Sequence, residues 1–491
     1  MNKKVFLLCV LVMGYISIFA DSPYYTCEVN DVGNQQMKPI KAVIVSDTHV
    51  MAPELLINNG TAWERYLQGE RKLVDLSKPL FDAMVAKIKD ELKPDLVFMT
   101  GDLTKDGEMM GHQYVVSKLD ELRSAGIRVL VIPGNHDHGS NDNAVYYDGD
   151  ATRPAETATE ESFVTMYAQY GYDANSQRET TTMTYSCEPI DGLVVIGIDS
   201  GREGALSETT LNWVCSQATA AHSSGKQVIA LMHHPLIPHF YGAETFVGHS
   251  VLADYEPVRN RLADAGIRII FTGHYHTTDN IKDWNGDLTR EIFDINTGSL
   301  ISYPCDYREL TFDAALSQVT ITTGHITALD GVDNFVESTK SRLHSSVQQA
   351  IAARGTVYTL FAPTAANAFI YHAEGDEHLS ADAAQTLQTL VQSANWAKSY
   401  GLLDAARADE LTLIANSMLL DKSQYGVEGR ENQTDDLTLT IELPNQMDPS
   451  GLSNMPLSTE VDAAIYNLNG QKVKKVQKGL YIINDKIVVI K

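Results

Sequence analysis

The chain has 491 residues, 44 % of them hydrophobic and 21 % charged, which excludes a wholly disordered polymer and leaves room for two or three domains. Thirty-eight Lys and Arg against 63 Asp and Glu give a net charge of −25, and removing two leader lysines takes it to −27. A surface of that sign repels phosphate polymers, so no nucleic-acid polymer is expected as a partner, whereas a small phosphate ester at a locally positive site remains compatible.

The first element in the chain is a leader. Lys3 and Lys4 precede an apolar stretch from Val5 to Ala20, and Asp21 opens polar sequence. That is the build of a secretory signal peptide, residues 1–20, cleaved after Ala20. The stretch is shorter than the ~20 residues of a membrane anchor, and no later segment is apolar for long enough to span. The expected location is therefore outside the cytoplasm: periplasm, cell surface or medium. Export leaves Cys27, Cys187, Cys215 and Cys305, a set compatible with two disulfides or with buried free thiols.

Five short apolar runs then follow, each ending in residues that can bind a metal. Ala42–Val45 leads into Asp47-Thr48-His49, and Leu96–Met99 into Gly101-Asp102. Val129–Ile132 leads into Gly134-Asn135-His136-Asp137, Val228–Met232 into His233-His234-Pro235, and Ile267–Phe271 into Gly273-His274-Tyr275-His276. Such runs read as strands buried on both faces. Helical patterns at Leu73–Leu92, His112–Ala125, Thr209–Ala221 and Val258–Ala265 separate them, which predicts an α/β fold with a largely parallel sheet. Ligands of such sheets bind beyond the carboxyl ends of the strands, where all five clusters fall. Further β-rich patterns at Thr182–Cys187, Leu193–Asp199, Arg290–Asn296 and Glu309–Thr322 predict a second sheet packed on the first.

Between the third and fourth runs lies an insert, residues 138–181, rich in tyrosine: Tyr146, Tyr147, Tyr167, Tyr170 and Tyr172. It reads either as a substrate-covering lid or as a subdomain whose tyrosines simply pack. Beyond the last run, residues 332–440 read as a helical region, with linkers at Gly426–Asp436 and Pro444–Pro456. Residues 457–491 close the chain, with Asn469-Gly470 as a hairpin signal.

A site of imidazoles, carboxylates and one carboxamide without thiolate favours manganese, iron or zinc. Seven ligands are too many for one ion with an open position and suit two ions about 3.5–4 Å apart sharing a carboxylate. Asp102 is the natural bridge. Two such ions activate a metal-bound hydroxide for in-line attack on phosphorus, and His136 is the best placed proton donor for the leaving alkoxide.

The five clusters, in order, resemble the calcineurin-like metallophosphoesterase superfamily over about residues 40–310, which implies a domain spanning residues 38–325. The resemblance implies a two-sheet α/β/β/α sandwich. It implies that Asp47, His49 and His276 hold one divalent metal ion, that Asn135, His233 and His274 hold a second, and that Asp102 bridges them. His136 would be the catalytic acid, Asp137 its orienting partner, and His234 an outer-shell residue. The Asp-x-His start and the His-His-Pro element are similar to the cyclic-nucleotide and glycerophosphodiester phosphodiesterase-like branch. The implied enzyme is a metal-dependent phosphoric ester hydrolase acting on small phosphodiesters or phosphomonoesters. A phospho-ligand binding protein without turnover and an exported nuclease are the alternatives. Ile465-Tyr466-Asn467-Leu468-Asn469-Gly470-Gln471, with Gly479-Leu480-Tyr481 and Lys491, resembles the C-terminal sorting signal of type IX secretion. Oligomeric state is not legible.

Overall fold

The computed structural model describes residues 38–239, 251–420, 434–443, 465–467, 479–483 and 486–490. Two sheets dominate. In the first, the strands run in the order Thr438–Glu442, Gln318–His325, Asp306–Phe312, Ile40–Val45, Leu96–Thr100 and Arg128–Ile132. The last three are mutually parallel, in the register Val43↔Val97↔Val129, and the others join antiparallel. In the second sheet the order is Asp279–Trp284, Glu291–Asn296, Ile269–Thr272, Gln227–Met232, Leu193–Ile198, Tyr185–Ile190 and Gln177–Arg178, with four central parallel strands.

The five apolar runs are therefore shared between the sheets, three in one and two in the other, instead of lining a single parallel sheet. Alternation explains the burial of both faces. Val195, Ile229, Leu231, Ile269 and Phe271 belong to the core cluster that also holds Val43, Val97 and Val129 of the first sheet. Their neighbours Val194, Ile196, Val228, Ala230 and Ile270 pack instead with Leu211, Val214, Val258 and Leu262 of the helices Glu208–Ser223 and Tyr255–Asp264. Successive side chains point to opposite faces, so a strand sandwiched between a sheet and a helix layer needs apolar residues at every position. Helices Ser77–Lys87 and Met109–Ser124 bring Leu80, Phe81, Met84, Val115 and Leu119 into the first cluster, completing an α/β/β/α sandwich.

The insert is a packed subdomain on its inner side. Tyr167, Tyr170 and Tyr172 are buried in the core, and the Tyr170 hydroxyl donates to Asp120 at 2.5 Å while the Tyr167 hydroxyl meets His112 Nδ1 at 2.9 Å. These three tyrosines pack. The helical region comprises Phe335–Ala352, Thr356–Glu374, Ala381–Ser399 and Ala405–Leu420. Residues 438–440, read from sequence as its end, belong instead to the edge strand Thr438–Glu442 of the first sheet, which registers Ile441 against Val319. Strands Ile465–Asn467, Gly479–Ile483 and Lys486–Ile490 make a separate antiparallel sheet, paired Asn467↔Tyr481. The leader, Cys27, Asn469-Gly470 and Lys491 lie outside the described residues. Among the described residues Cys187, Cys215 and Cys305 are free thiols, and no helix is long and apolar enough to cross a membrane.

Candidate metal centre

The five strand ends meet at one seam between the sheets, and main-chain hydrogen bonds tie their loops together. Asp47 N–H donates to Gly101 O at 3.1 Å, His49 N–H to Asp102 O at 2.9 Å and Gly273 N–H to His233 O at 3.0 Å. Asp47, His49, Asp102, His274 and His276 all have φ between 37° and 72°. Non-glycine residues rarely occupy that region, and a cluster of them marks backbone bent to aim side chains at a common point. Gly134 has no room for a side chain: a Cβ there would overlap the Asp102 main chain and carboxylate.

Ligand atoms of Asp47, His49, Asp102 and His276 lie within 4.8 Å of one another, as do those of Asp102, His233 and His274. His49 Nε2 faces His276 Nε2 at 3.2 Å and Asp102 Oδ2 at 3.5 Å, and His276 Nε2 is 3.2 Å from Asp47 Oδ1. On the other side, His233 Nε2 is 3.3 Å from the same Asp102 Oδ2, 3.0 Å from Asn135 Oδ1 and 3.2 Å from His274 Nδ1. One carboxylate oxygen thus stands between two donor sets. The other, Oδ1, accepts the His136 N–H at 2.8 Å, which fixes the carboxylate orientation.

The donor chemistry fits a pair of divalent cations. Nitrogen lone pairs, carboxylate oxygens and a carboxamide oxygen converge from buried positions, and imidazole nitrogens face one another where protons would crowd. His233 Nδ1 is bonded to Thr100 O at 2.8 Å, the outer contact that turns Nε2 inward. Burial, aided by the Lys72 ammonium, holds the His49 imidazole well below its ordinary value, and burial with the charge of His233 brings His274 down to about 3. Both are therefore neutral, the form that ligates. Burial also opposes charge on His233, yet the Asp102 carboxylate overrides it and lifts that imidazole to about 9. Burial would raise Asp102 as well, but His233 and His136 pull its carboxyl well below the usual carboxylate range. The negative field that a proton answers at His233 is the field a cation would answer.

One residue differs from the sequence reading, and another was missed by it. Asp137 does not reach the His136 ring. Its Oδ1 accepts Thr104 N–H at 2.9 Å and Thr104 Oγ1 at 3.1 Å, and its Oδ2 accepts Leu103 N–H at 3.0 Å and Gly134 N–H at 2.9 Å. Both oxygens are consumed in stapling the Asp102 loop to the Asn135 loop. The ring is held instead by Asp106, whose Oδ1 lies 3.0 Å from His136 Nδ1, beside Lys105 O at 2.8 Å. Asp106 is itself paired with the buried Lys105 and receives Asn141 Nδ2 at 3.1 Å. In sequence, Asp106-Gly107 reads as an ordinary turn, which is why its role was missed. Burial opposes protonation of His136, while Asp102 and Asp106 favour it and win.

His234 stands behind the ligands, its Nδ1 2.8 Å from Ser200 Oγ and its ring 4.5 Å from that of His274. His239 is buried away from the ligands, between Asp279 at 3.1 Å and Asp294 at 3.4 Å. His249 lies outside the described residues.

Residues 40–278 match the calcineurin-like phosphoesterase family. The chain carries a calcineurin-like phosphoesterase domain. It is a metal-dependent phosphoric ester hydrolase by that membership. A probable glycerophosphodiester phosphodiesterase of Arcobacter nitrofigilis is 26 % identical over 252 residues, 50 % of this chain and 74 % of that protein. A probable cyclic nucleotide phosphodiesterase of Rhodococcus erythropolis is 25 % identical over 241 residues, 48 % of this chain and 64 % of that protein. Among solved structures, a dimetal phosphatase from Danio rerio aligns with 59 % of this chain and 97 % of its own, at 14 % identity and a TM-score of 0.42. In phosphoesterase terms, the two donor sets flanking Asp102 fit two divalent metals at the mouth of the sandwich.

Proposed function

We propose that the protein is an exported phosphoesterase that holds two divalent cations and hydrolyses small phosphodiesters or phosphomonoesters. The observation that carries the reading is a single carboxylate, Asp102, shared by two donor sets with a ring-anchored histidine, His136, beside them. Asp47, His49 and His276 would hold one cation with Asp102, and Asn135, His233 and His274 the other. When bound, the pair supplies Lewis acidity that polarises a phosphoryl group and lowers the pKa of water. The chain's own residues do the rest. The His136 ring lies edge-on to His49 with centroids 4.9 Å apart, so it stands at the rim of the first donor set. Its Nδ1 is engaged by Asp106 and Lys105 O, which leaves Nε2 to give a proton to the departing alkoxide. Asp137 holds the two loops at the separation this geometry needs.

The names of the two bacterial relatives support a diester substrate, and the Lys3-Lys4 leader supports export. Outside the cytoplasm the diet would be phosphoesters released from nucleotides, lipids or sugars. The test is steady-state turnover of bis-p-nitrophenyl phosphate by the full chain with manganese, followed by a panel of glycerophosphodiesters, cyclic nucleotides and monoesters. Turnover that is lost with chelator and restored with manganese is the expected result. Retention of phosphate ligands without any turnover would favour the binding-protein reading. Fractionation of the producing cells tests export, and an uncut leader in the cytoplasm would refute it.

A further inference from the structure

Ser46 ends the first apolar run and is fully buried. Its main chain is fixed across the seam between the sheets. The Ser46 carbonyl accepts Leu300 N–H at 3.1 Å, Ser46 pairs with Ser299 in an isolated parallel bridge, and Ser299 Oγ donates to Asp47 O at 2.8 Å. Ser299 follows strand Glu291–Asn296, so this junction ties the end of strand Ile40–Val45 to the second sheet. It also holds Asp47 in its bent backbone, with φ 50°. A buried hydroxyl needs a partner. Ser46 gives its proton to the neighbouring carboxylate, Oγ–H donating to Asp47 Oδ2.

The two oxygens of Asp47 are thereby made unlike. The His274 N–H does not distinguish them, lying 3.0 Å from Oδ2 and 3.2 Å from Oδ1. The Ser46 hydroxyl does. Oδ1 is turned to the first donor set, 3.2 Å from His276 Nε2 and 4.0 Å from His49 Nε2. Oδ2 is turned to the protein: a Cβ on Gly273 would overlap both Oδ2 and Ser46 Oγ. Gly273 thus leaves the room in which hydroxyl and carboxylate meet. A carboxylate can hold a divalent cation through one oxygen or two. With Oδ2 engaged by Ser46 and backed by Gly273, Asp47 offers Oδ1 alone. A hydrogen bond to a charged acceptor is about twice as strong as one between neutral groups, which suits it to hold that orientation. Asp47, His49, His276 and Asp102 then supply one donor atom each on this side, and an open position remains, as a catalytic ion requires.

We propose that Ser46 is a positioning residue for the first cation, its hydroxyl restricting Asp47 to ligation through Oδ1. The proposal rests on the metal-dependent phosphoesterase reading and adds to it the group that sets how Asp47 binds and how tightly the first ion is held.

The experiment compares the full chain with its S46A and S46T variants. Each apoprotein is titrated with manganese while the free ion is read by electron paramagnetic resonance. Crystals grown at sub-saturating manganese give the anomalous peak on each side of Asp102. S46A should hold the ion beside His49 and His276 about 10- to 100-fold more weakly, the usual worth of a hydrogen-bonding partner behind a metal ligand. The ion beside His233 and His274 should stay within threefold of wild type. S46T, which keeps the hydroxyl, should recover most of the loss. Unchanged affinity on both sides in S46A would overturn the proposal, and so would an equal weakening of both, which is what a merely structural serine would give. If S46A does not fold, metal-saturated crystals of the wild type decide. Asp47 binding through Oδ1, with Oδ2 on the Ser46 hydroxyl, supports the role, and Oδ2 on the metal overturns it. A wild type that takes up no ion beside His49 and His276 refutes the metal reading and the proposal together, whereas a wild type with both ions, matched by S46A, refutes the role of Ser46 alone.

Discussion

Replacing Asp137 by Asn separates a loop staple from a catalytic partner. The Asp137 carboxylate is fully buried and accepts four hydrogen bonds, two on each oxygen. In the Asn variant one oxygen becomes an amino group, so two of those donors lose their acceptor. If the oxygen kept is the one facing Thr104, the orphaned donors are Leu103 N–H and Gly134 N–H. Each buried, unsatisfied donor costs about 1–3 kcal/mol, so the variant should lose about 2–6 kcal/mol. That is a large share of the ~5–15 kcal/mol that holds a domain folded. Because the staple joins the Asp102 and Asn135 loops, metal content should fall too. Urea unfolding of the chelator-treated protein reads the first effect and elemental analysis of the manganese-loaded protein the second. A variant with the wild-type unfolding midpoint, full metal content and a rate loss confined to poor leaving groups would refute the reasoning and return Asp137 to the role of orienting His136.

Asp102→Asn should lower metal occupancy and abolish hydrolysis while circular dichroism stays native, since the sheet cores are built by apolar runs; full occupancy of both ions would reject the bridge. His136→Ala should keep both metals but lose about 10²–10⁴ in rate, less for nitrophenolate leaving groups than for alkoxides, and an equal loss for both would speak against proton donation. Asp106→Asn should show the same leaving-group pattern at smaller size, about tenfold, and a flat pattern would separate Asp106 from His136. His325, hydrogen-bonded to Asp306 at 2.6 Å, has its pKa raised by that bond against the effect of burial. Its stabilising contribution is therefore present below the unfolded His value near 6.5 and is lost as pH rises through the higher folded value. His325→Gln should accordingly destabilise the chelator-treated protein at pH 5.5 more than at pH 8.5, and an equal loss in urea unfolding at both would contradict the linkage.

The strand-end clusters were legible because each apolar run stops abruptly at Asp, His or Asn, and turn chemistry alone does not place such residues after five separate strands. The α/β class followed from the same runs and the helical patterns between them. Their division between two sheets was not legible. Val129–Ile132 and Val228–Met232 are both buried on two faces, and nothing local says which sheet a strand will join. Thr438–Glu442 was absorbed into the helical region because its partner, Gln318–His325, lies more than a hundred residues upstream. Within the site, Asp137 was given as the orienting partner of His136 by the resemblance and not by any signal of its own. A side chain one position on in a turn points elsewhere, and Asp106 reaches the ring from another loop.

The most direct test of the centre is diffraction from crystals of the manganese-loaded full chain, with anomalous data collected at the metal edge. The expected result is two peaks about 3.5–4 Å apart, with Asp102 between them, His49 and His276 on one and His233 and His274 on the other. A single peak, or two peaks that do not share Asp102, would contradict a bridged pair.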